Sequence, residues 1–296
     1  MEVKTSSIMG FLGPFLLLVL AFYFVPVILT VILSYTSMDY KLSWDFVGFS
    51  NFEHFLTQSL TYKILLTTLI YVALTLIFNV GIAFLLALMT TYFTTHENTA
   101  MFFRAIWLLP RLTPVVVYCL LWMWIFEPTQ YGLFNTILSL FGKSSSIDWF
   151  SAYPMGVIVF ANGFIGASFG MVTFSSAIKS ISRDYIWSAQ VDGAGDWQIV
   201  RRIIVPMIKW EVMYIFIWQT LSLLNSYVYI LILTDGGPLH ETEVWSLYSY
   251  HKAFKYMEFG NGAALSLLLV IIGIVFTFIG WKIFGFRRMM GQEVSR

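Results

Sequence analysis

Six apolar stretches decide what this chain can become. They run approximately over 9–35, 64–92, 103–126, 154–178, 210–233 and 263–286, and a helix of about 20 such residues spans the hydrocarbon core of a bilayer. With 58% hydrophobic and only 11% charged residues among 296, the chain lacks the polar surface a soluble fold needs. The expected fold class is therefore an all-α integral membrane protein: one domain over 1–296 with six transmembrane helices, its lipid bilayer serving as solvent. The first stretch is too long for a signal peptide and has no small-residue cleavage site, so it reads as a retained helix.

Basic residues set the expected orientation. With the N-terminus inside, Lys4, Arg104, Lys179, Arg183, Arg201, Arg202, Lys209, Lys282, Arg287, Arg288 and Arg296 fall on the cytoplasmic side. Only Lys41, Lys63, Lys143, Lys252 and Lys255 fall outside. Loops rich in Lys and Arg stay in the cytoplasm, so both termini are expected there. Trp122, Trp124, Trp149, Trp210, Trp245 and Trp281 lie near span ends, where amphipathic rings settle at the membrane interface.

Two features inside the spans are polar where lipid would forbid it. In the fifth span, Gln219, Ser222, Ser226 and Tyr229 recur at helical spacing, with Asn225 adjacent. Such side chains face a bundle interior or a watery cavity. They suit either hydrogen bonds between helices or the hydroxyls of a sugar. Arg111 is the one strong charge well inside a span rather than near its edge, roughly 12 Å beyond the span's start near Phe103. Leaving it without partners there costs on the order of 3 kcal/mol. Pro110 and Pro114 lack N–H groups and strip the carbonyls of Ile106 and Pro110 of their helical donors. Arg111 can satisfy these carbonyls or face a substrate or gate. Asn162 in the fourth span is a weaker case of the same kind. Gly156, Gly163, Gly166, Ala167 and Gly170 on that span allow close approach of another helix, and packing within the chain is the plainer reading.

Between the fourth and fifth spans lies a polar segment, 179–209, broken by Gly193. Ser182 is placed to cap a short helix ending near Val191, with Asp184 in its first turn. Gly193 permits the backbone conformation that ends it. Asp196 is the expected cap of a second helix from Trp197 to Val205, leading to Pro206. Two short helices set at an angle make a rigid knob that a soluble partner can grip. An ordinary interfacial helix is the alternative.

The run Ser188-Ala189-Gln190-Val191-Asp192-Gly193-Ala194, with Gln198 and Arg202-Ile203-Ile204-Val205-Pro206, resembles the signature loop of ABC importer permeases. Phe103-Arg104-Ala105-Ile106-Trp107-Leu108-Leu109-Pro110, with Tyr131-Gly132-Leu133-Phe134-Asn135, is similar to the third-span region of binding-protein-dependent sugar permeases. Leu233-Thr234-Asp235-Gly236-Gly237-Pro238 resembles the external loop of maltose- and glycerol-phosphate-type subunits. The resemblance covers nearly the whole chain. It implies a type I ABC importer permease fold in the plasma membrane of a prokaryote, importing a sugar or related carbohydrate. It also implies a second permease subunit (the same chain or another), two ATP-binding subunits and an extracytoplasmic solute-binding protein. The coupling loop so implied comprises Asp184, Trp187, Ser188, Ala189, Asp192, Gly193, Ala194, Arg202 and Pro206. The resemblance also favours a solute role for the fifth-span stripe. One departure stands out: the family's Glu, which pairs with a basic residue of the ATPase, is replaced by Trp187. Contact there must be apolar, or Asp184 one turn earlier must substitute.

Several chemistries find no support. Gly142-Lys143-Ser144 is the nearest approach to a phosphate-binding loop, and Ile137 occupies the place of its first glycine. ATP and Mg2+ are thus expected in partner subunits and no cofactor in this chain. His54, His96, His240 and His251 lack metal-ligand spacing, and Cys119 is alone. No catalytic set is present, so the chain is not expected to be an enzyme, and a net charge of +1 points to no nucleic acid. A self-contained secondary carrier or channel is the alternative, weakened by the lack of an acidic pair within any span.

Overall fold

A computed structural model describes residues 5–142 and 146–284. Lys4, Lys143, Ser144, the end of the sixth expected span, Arg287, Arg288 and Arg296 lie outside the described residues. Regular structure among the described residues is helical, with one isolated antiparallel bridge between Thr36 and Phe46. The principal helices are α1 (Leu12–Ser34), α2 (Ser59–Phe93), α3 (Glu97–Leu112), α4 (Val115–Ile125) and α5 (Pro154–Ser180). They continue with α6 (Arg183–Val191), α7 (Asp196–Ile199), α8 (Lys209–Leu224), α9 (Val228–Leu233) and α10 (Phe259–Ile283).

Four of these, α1, α2, α5 and α10, are each long and apolar enough to cross a membrane, and α3 with α4 makes a fifth if taken as one broken span. The bend between α3 and α4 is 101°. Its cause is local: Thr113, preceding Pro114, is held extended (ψ 131°) by the proline ring, and the helix cannot pass. The expected fifth span is not one helix. It breaks at Asn225–Tyr227 into α8, 16 residues, and α9, 6 residues. Asn225 donates from Nδ2 to the Leu221 carbonyl at 2.9 Å, a local bond of the kind by which short polar side chains compete with the helix.

The chain divides into two compact units. The smaller takes in residues 1–63 and 248–271. There α1 carries apolar side chains left largely exposed by the described residues, with Phe22 and Tyr23 more than 70% exposed. After it, Tyr35 packs against Phe46, Phe49 and Phe52. Asn51 Nδ2 donates to the carbonyls of Ser34 and Thr36, each at 2.9 Å, fixing the loop that follows.

The larger unit takes in residues 64–247 and 272–296. Its centre is α5, whose buried face includes Asn162, Gly163, Ala167, Gly170, Met171 and Phe174. Gly163, Gly166 and Gly170 lie against Phe78, Asn79 and Ala83 of α2, so closely that a Cβ on any of them would fall within 2.7 Å of those side chains. At one end of this unit, Glu97 joins Arg104 (3.2 Å) and Lys179 (2.6 Å). The Tyr92 hydroxyl donates to Asp196 Oδ1 at 2.8 Å. The start of α3, the end of α5 and the 179–209 loop therefore share one end of the unit.

Candidate functional site

The two helix breaks meet at one place. Between them lies a cavity of about 370 Å³, lined by residues of α5 and α8 and by the segments around both breaks. Irregular backbone at membrane depth is tolerated where it lines a cavity or is buried in protein, and both interruptions do so here. Of the seven polar residues singled out from the sequence, Arg111, Asn162, Gln219, Ser222, Ser226 and Tyr229 line this cavity. Asn225 does not: its amide turns back to its own helix.

The six differ in what they have left to offer. Gln219 is buried and bound on both sides: Nε2 donates to the Gly166 carbonyl (3.1 Å) and Oε1 accepts from Asn79 (3.3 Å). Asn162 is also buried, donating from Nδ2 to the Tyr71 hydroxyl (2.7 Å) and to Ser226 Oγ (3.1 Å). These two join α2, α5 and α8, so their first role is to hold the walls. Arg111, by contrast, donates no hydrogen bond and forms no ion pair among the described residues. The expectation that it caps the carbonyls freed by the prolines fails, because the Pro110 carbonyl takes the Thr113 N–H at 3.2 Å. The guanidinium instead lies over the Phe169 ring, 5.3 Å from its centroid.

Among the lining residues that escaped the sequence reading are Thr113, Phe169 and Trp218. Phe169 and Trp218 stand 6.2 Å apart at 39°, and Tyr214 extends the row at 6.3 Å from Trp218. Together they form an aromatic ledge beside the arginine. Phe169 lies seven residues after Asn162 and three after Gly166, a spacing that could have placed it on the same helical face. Trp218 lies four residues before Ser222, a spacing that carries the same signal. Thr113 completes the group at the α3–α4 break.

The 179–209 loop folds into two short helices with a clear division of faces. Ser182 caps α6 by accepting the Asp184 N–H at 3.3 Å. At the other end, Gly193 (φ +80°) donates to the Gln190 carbonyl at 3.0 Å and Ala194 to the Ala189 carbonyl at 2.9 Å. This pair of bonds is a complete Schellman motif, which the left-handed glycine makes possible. The second helix departs from expectation. Gly195, not Asp196, occupies the cap position, its N–H donated to Gln198 Oε1 at 3.2 Å. Asp196 is drawn away to Tyr92, and the helix continues through a wide turn, Val200–Ile204, to Met207.

Ile186, Ala189, Ala194, Ile199, Val200, Ile204 and Ile208 turn inward onto Ala83, Ala87, Phe174 and Ile178. Tyr185, Trp187, Val191 and Trp197 turn outward, with Trp197 74% and Val191 87% exposed. Ser188, Asp192, Arg202 and Pro206 are exposed as well. The loop is thus anchored by one apolar face and presents another.

A helical membrane chain with a small-molecule cavity at its helix breaks and a rigid, apolar-faced loop clear of them is a transport permease in form. The sequence agrees: residues 80–287 match the family of binding-protein-dependent transport system inner membrane components, and the chain belongs to that family. It is 26% identical over 271 residues to the sn-glycerol-3-phosphate transport system permease protein UgpA of Pectobacterium atrosepticum, covering 91% of this chain and 90% of that protein. It is 26% identical over 287 residues to the diacetylchitobiose uptake system permease protein NgcF of Streptomyces coelicolor, covering 92% and 80%. In fold it is similar to a chain of a bacterial alginate ABC transporter solved with an alginate pentasaccharide-bound periplasmic protein. The TM-score is 0.82 at 22% identity, over 94% of this chain and 93% of that one. Members of the family are permease subunits and not themselves catalysts.

Proposed function

We propose that the chain is one of two membrane-spanning subunits of an ATP-driven importer for a saccharide, with six spans and both termini in the cytoplasm. The observation that carries this reading is the cavity. It joins an aromatic ledge, which suits the apolar faces of sugar rings, to polar groups on Arg111, Ser222 and Tyr229 that make no hydrogen bond among the described residues and suit their hydroxyls. The named relatives for glycerol phosphate and diacetylchitobiose support the class of solute. In this reading the α8–α9 segment, interrupted at the cavity, is the fifth of the six spans.

The loop supplies the coupling. Two ATP-binding subunits, which carry ATP and Mg2+, grip Tyr185, Trp187, Val191 and Trp197. A solute-binding protein delivers the saccharide from outside. Movement of the ATP-binding subunits passes through α6 and α7 into α5 and α8, which they abut, and tips the cavity between outward and inward access. A ligand shifts such an equilibrium only by binding one state better than the other, so solute and partner must each favour a different state. Asp184 sits beside its own capping Ser182 (3.1 Å), so we assign the place of the family's acidic contact to the indole of Trp187.

Reconstitution tests the reading. This chain in proteoliposomes with its ATP-binding subunits, second permease and binding protein should take up labelled saccharide only with ATP inside. Uptake by the chain alone, without ATP, would establish a self-contained carrier instead. A narrower expectation concerns the docking face. Trp187→Ala should weaken binding of the ATP-binding subunit by about 2 kcal/mol, roughly thirtyfold, as truncation of a central aromatic anchor does. Titration of the detergent-solubilised subunits reads this directly, and an unchanged affinity would remove Trp187 from the interface.

A further inference from the structure

The cavity is not electrically neutral. Arg111 is the one charged residue in its lining, and no Asp or Glu stands among the residues around it. Nor does the guanidinium find a hydrogen-bond acceptor or carboxylate elsewhere among the described residues. It lies over the face of Phe169 and close enough to Tyr229 to interact with it electrostatically, and neither contact gives its N–H groups a hydrogen-bond acceptor among the described residues. A cation at membrane depth is expensive and marks a site whose counter-charge is functional. Ser222 and Tyr229 add hydroxyls, while the amides of Asn162 and Gln219 are already occupied. The donor this cavity offers is a guanidinium, and the group that pairs best with it is an anion.

The form of that anion follows from charge and shape. A guanidinium matches a planar carboxylate with two parallel N–H···O bonds. A phosphate monoester carries a charge of about −1.5 to −2 near neutrality. It would leave net negative charge in a cavity with one cation. Phe169 and Trp218 border the guanidinium, so a sugar ring stacked on that ledge sets a ring carboxylate within reach of Arg111. Resting on the saccharide reading given above, we propose that the cavity takes a uronate, a sugar bearing a carboxylate, and that Arg111 distinguishes it from neutral sugars.

Direct binding to the full chain in lipid nanodiscs tests this without the selectivity of a binding protein. The probes are the disaccharides of galacturonate, glucuronate and mannuronate, each beside its neutral methyl ester, with glucose 6-phosphate as the phosphate arm. At least one free acid should bind about tenfold or more tighter than its ester, the difference expected of a charge-assisted hydrogen-bonded pair. Arg111→Gln should weaken the acid about tenfold more than the ester and so abolish that difference. Arg111→Lys should retain part of it. Equal binding of acids and esters would overturn the anion inference and leave the saccharide reading standing. Equal weakening of both by Arg111→Gln would make the arginine structural and overturn it likewise. Tighter binding of glucose 6-phosphate than of every uronate would overturn the carboxylate assignment. Binding of none of the probes would overturn the saccharide reading and this inference with it.

Discussion

Gly166→Ala is expected to destabilise the larger unit by on the order of 3 kcal/mol, although it adds one methyl group. A Cβ at this position would lie 2.2 Å from Asn79 Nδ2 and 2.6 Å from its Cγ, where no atom can remain. Asn79 is 1% exposed and has nowhere to swing. Two terms then add. Forcing a methyl into a packed contact costs about 1–3 kcal/mol. Displacing Asn79 also breaks its bond to Gln219, which itself donates to the Gly166 carbonyl. Leaving such buried groups unpaired costs a further 1–3 kcal/mol or so. The apparent Tm of the purified chain should fall on the order of 10 °C. Gly156→Ala is the control, because its nearest neighbour, Tyr153 Cβ, stands at an ordinary 3.8 Å. Equal melting of the two variants would show that α2 and α5 are not locked at Gly166.

The same contact shows what a sequence can and cannot announce. Small residues at three- and four-residue spacing told that a helix comes close to α5, because removing side chains serves few other ends in a membrane. They did not tell which helix. Asn79 meets Gln219 across 140 positions and Asn162 meets Tyr71 across 91, and such pairings are set by tertiary packing that no local pattern encodes. Polar residues in the fifth span were legible as a cluster, since lipid excludes them. The break at Asn225–Tyr227 was not, because it contains neither proline nor glycine and arises from the Asn225 amide competing for a carbonyl. Continuity was assumed, and so Asn225 was placed with the cavity residues. At the α3–α4 break the prolines are visible in the sequence, and of the two readings they leave Arg111, capping the freed carbonyls fails because Thr113 takes one of them. The aromatic ledge escaped because Phe and Trp facing a cavity look like Phe and Trp facing lipid.

Gly193→Val is expected to separate ATP hydrolysis from transport while leaving the chain folded and membrane-inserted. A Cβ on Gly193 would meet nothing within 4 Å, so sterics with neighbours contribute nothing and the whole effect lies in the backbone. At φ +80° an L-residue carries about 1–2 kcal/mol of strain, and a β-branched one more. Relaxing that strain requires φ to turn negative, which removes the Gly193–Gln190 and Ala194–Ala189 bonds together. Then α6 no longer ends where α7 must begin. Trp187 and Val191 lie on one side of this corner and Trp197 on the other, so a partner gripping all three meets a misaligned surface. Ile186 and Ala189 still anchor α6, and Ile199 and Val200 the following helix, so the damage stays local. Solute moved per ATP hydrolysed should drop about tenfold, the equivalent of some 1.4 kcal/mol of lost coupling. Gly193→Asn separates backbone geometry from side-chain identity, since asparagine enters the left-handed region more readily than other residues. It should retain most of the coupling. Uptake and hydrolysis measured on the same proteoliposomes decide the matter. A valine variant that moves as much solute per ATP as the parent would mean that the corner at Gly193 does not carry the stroke.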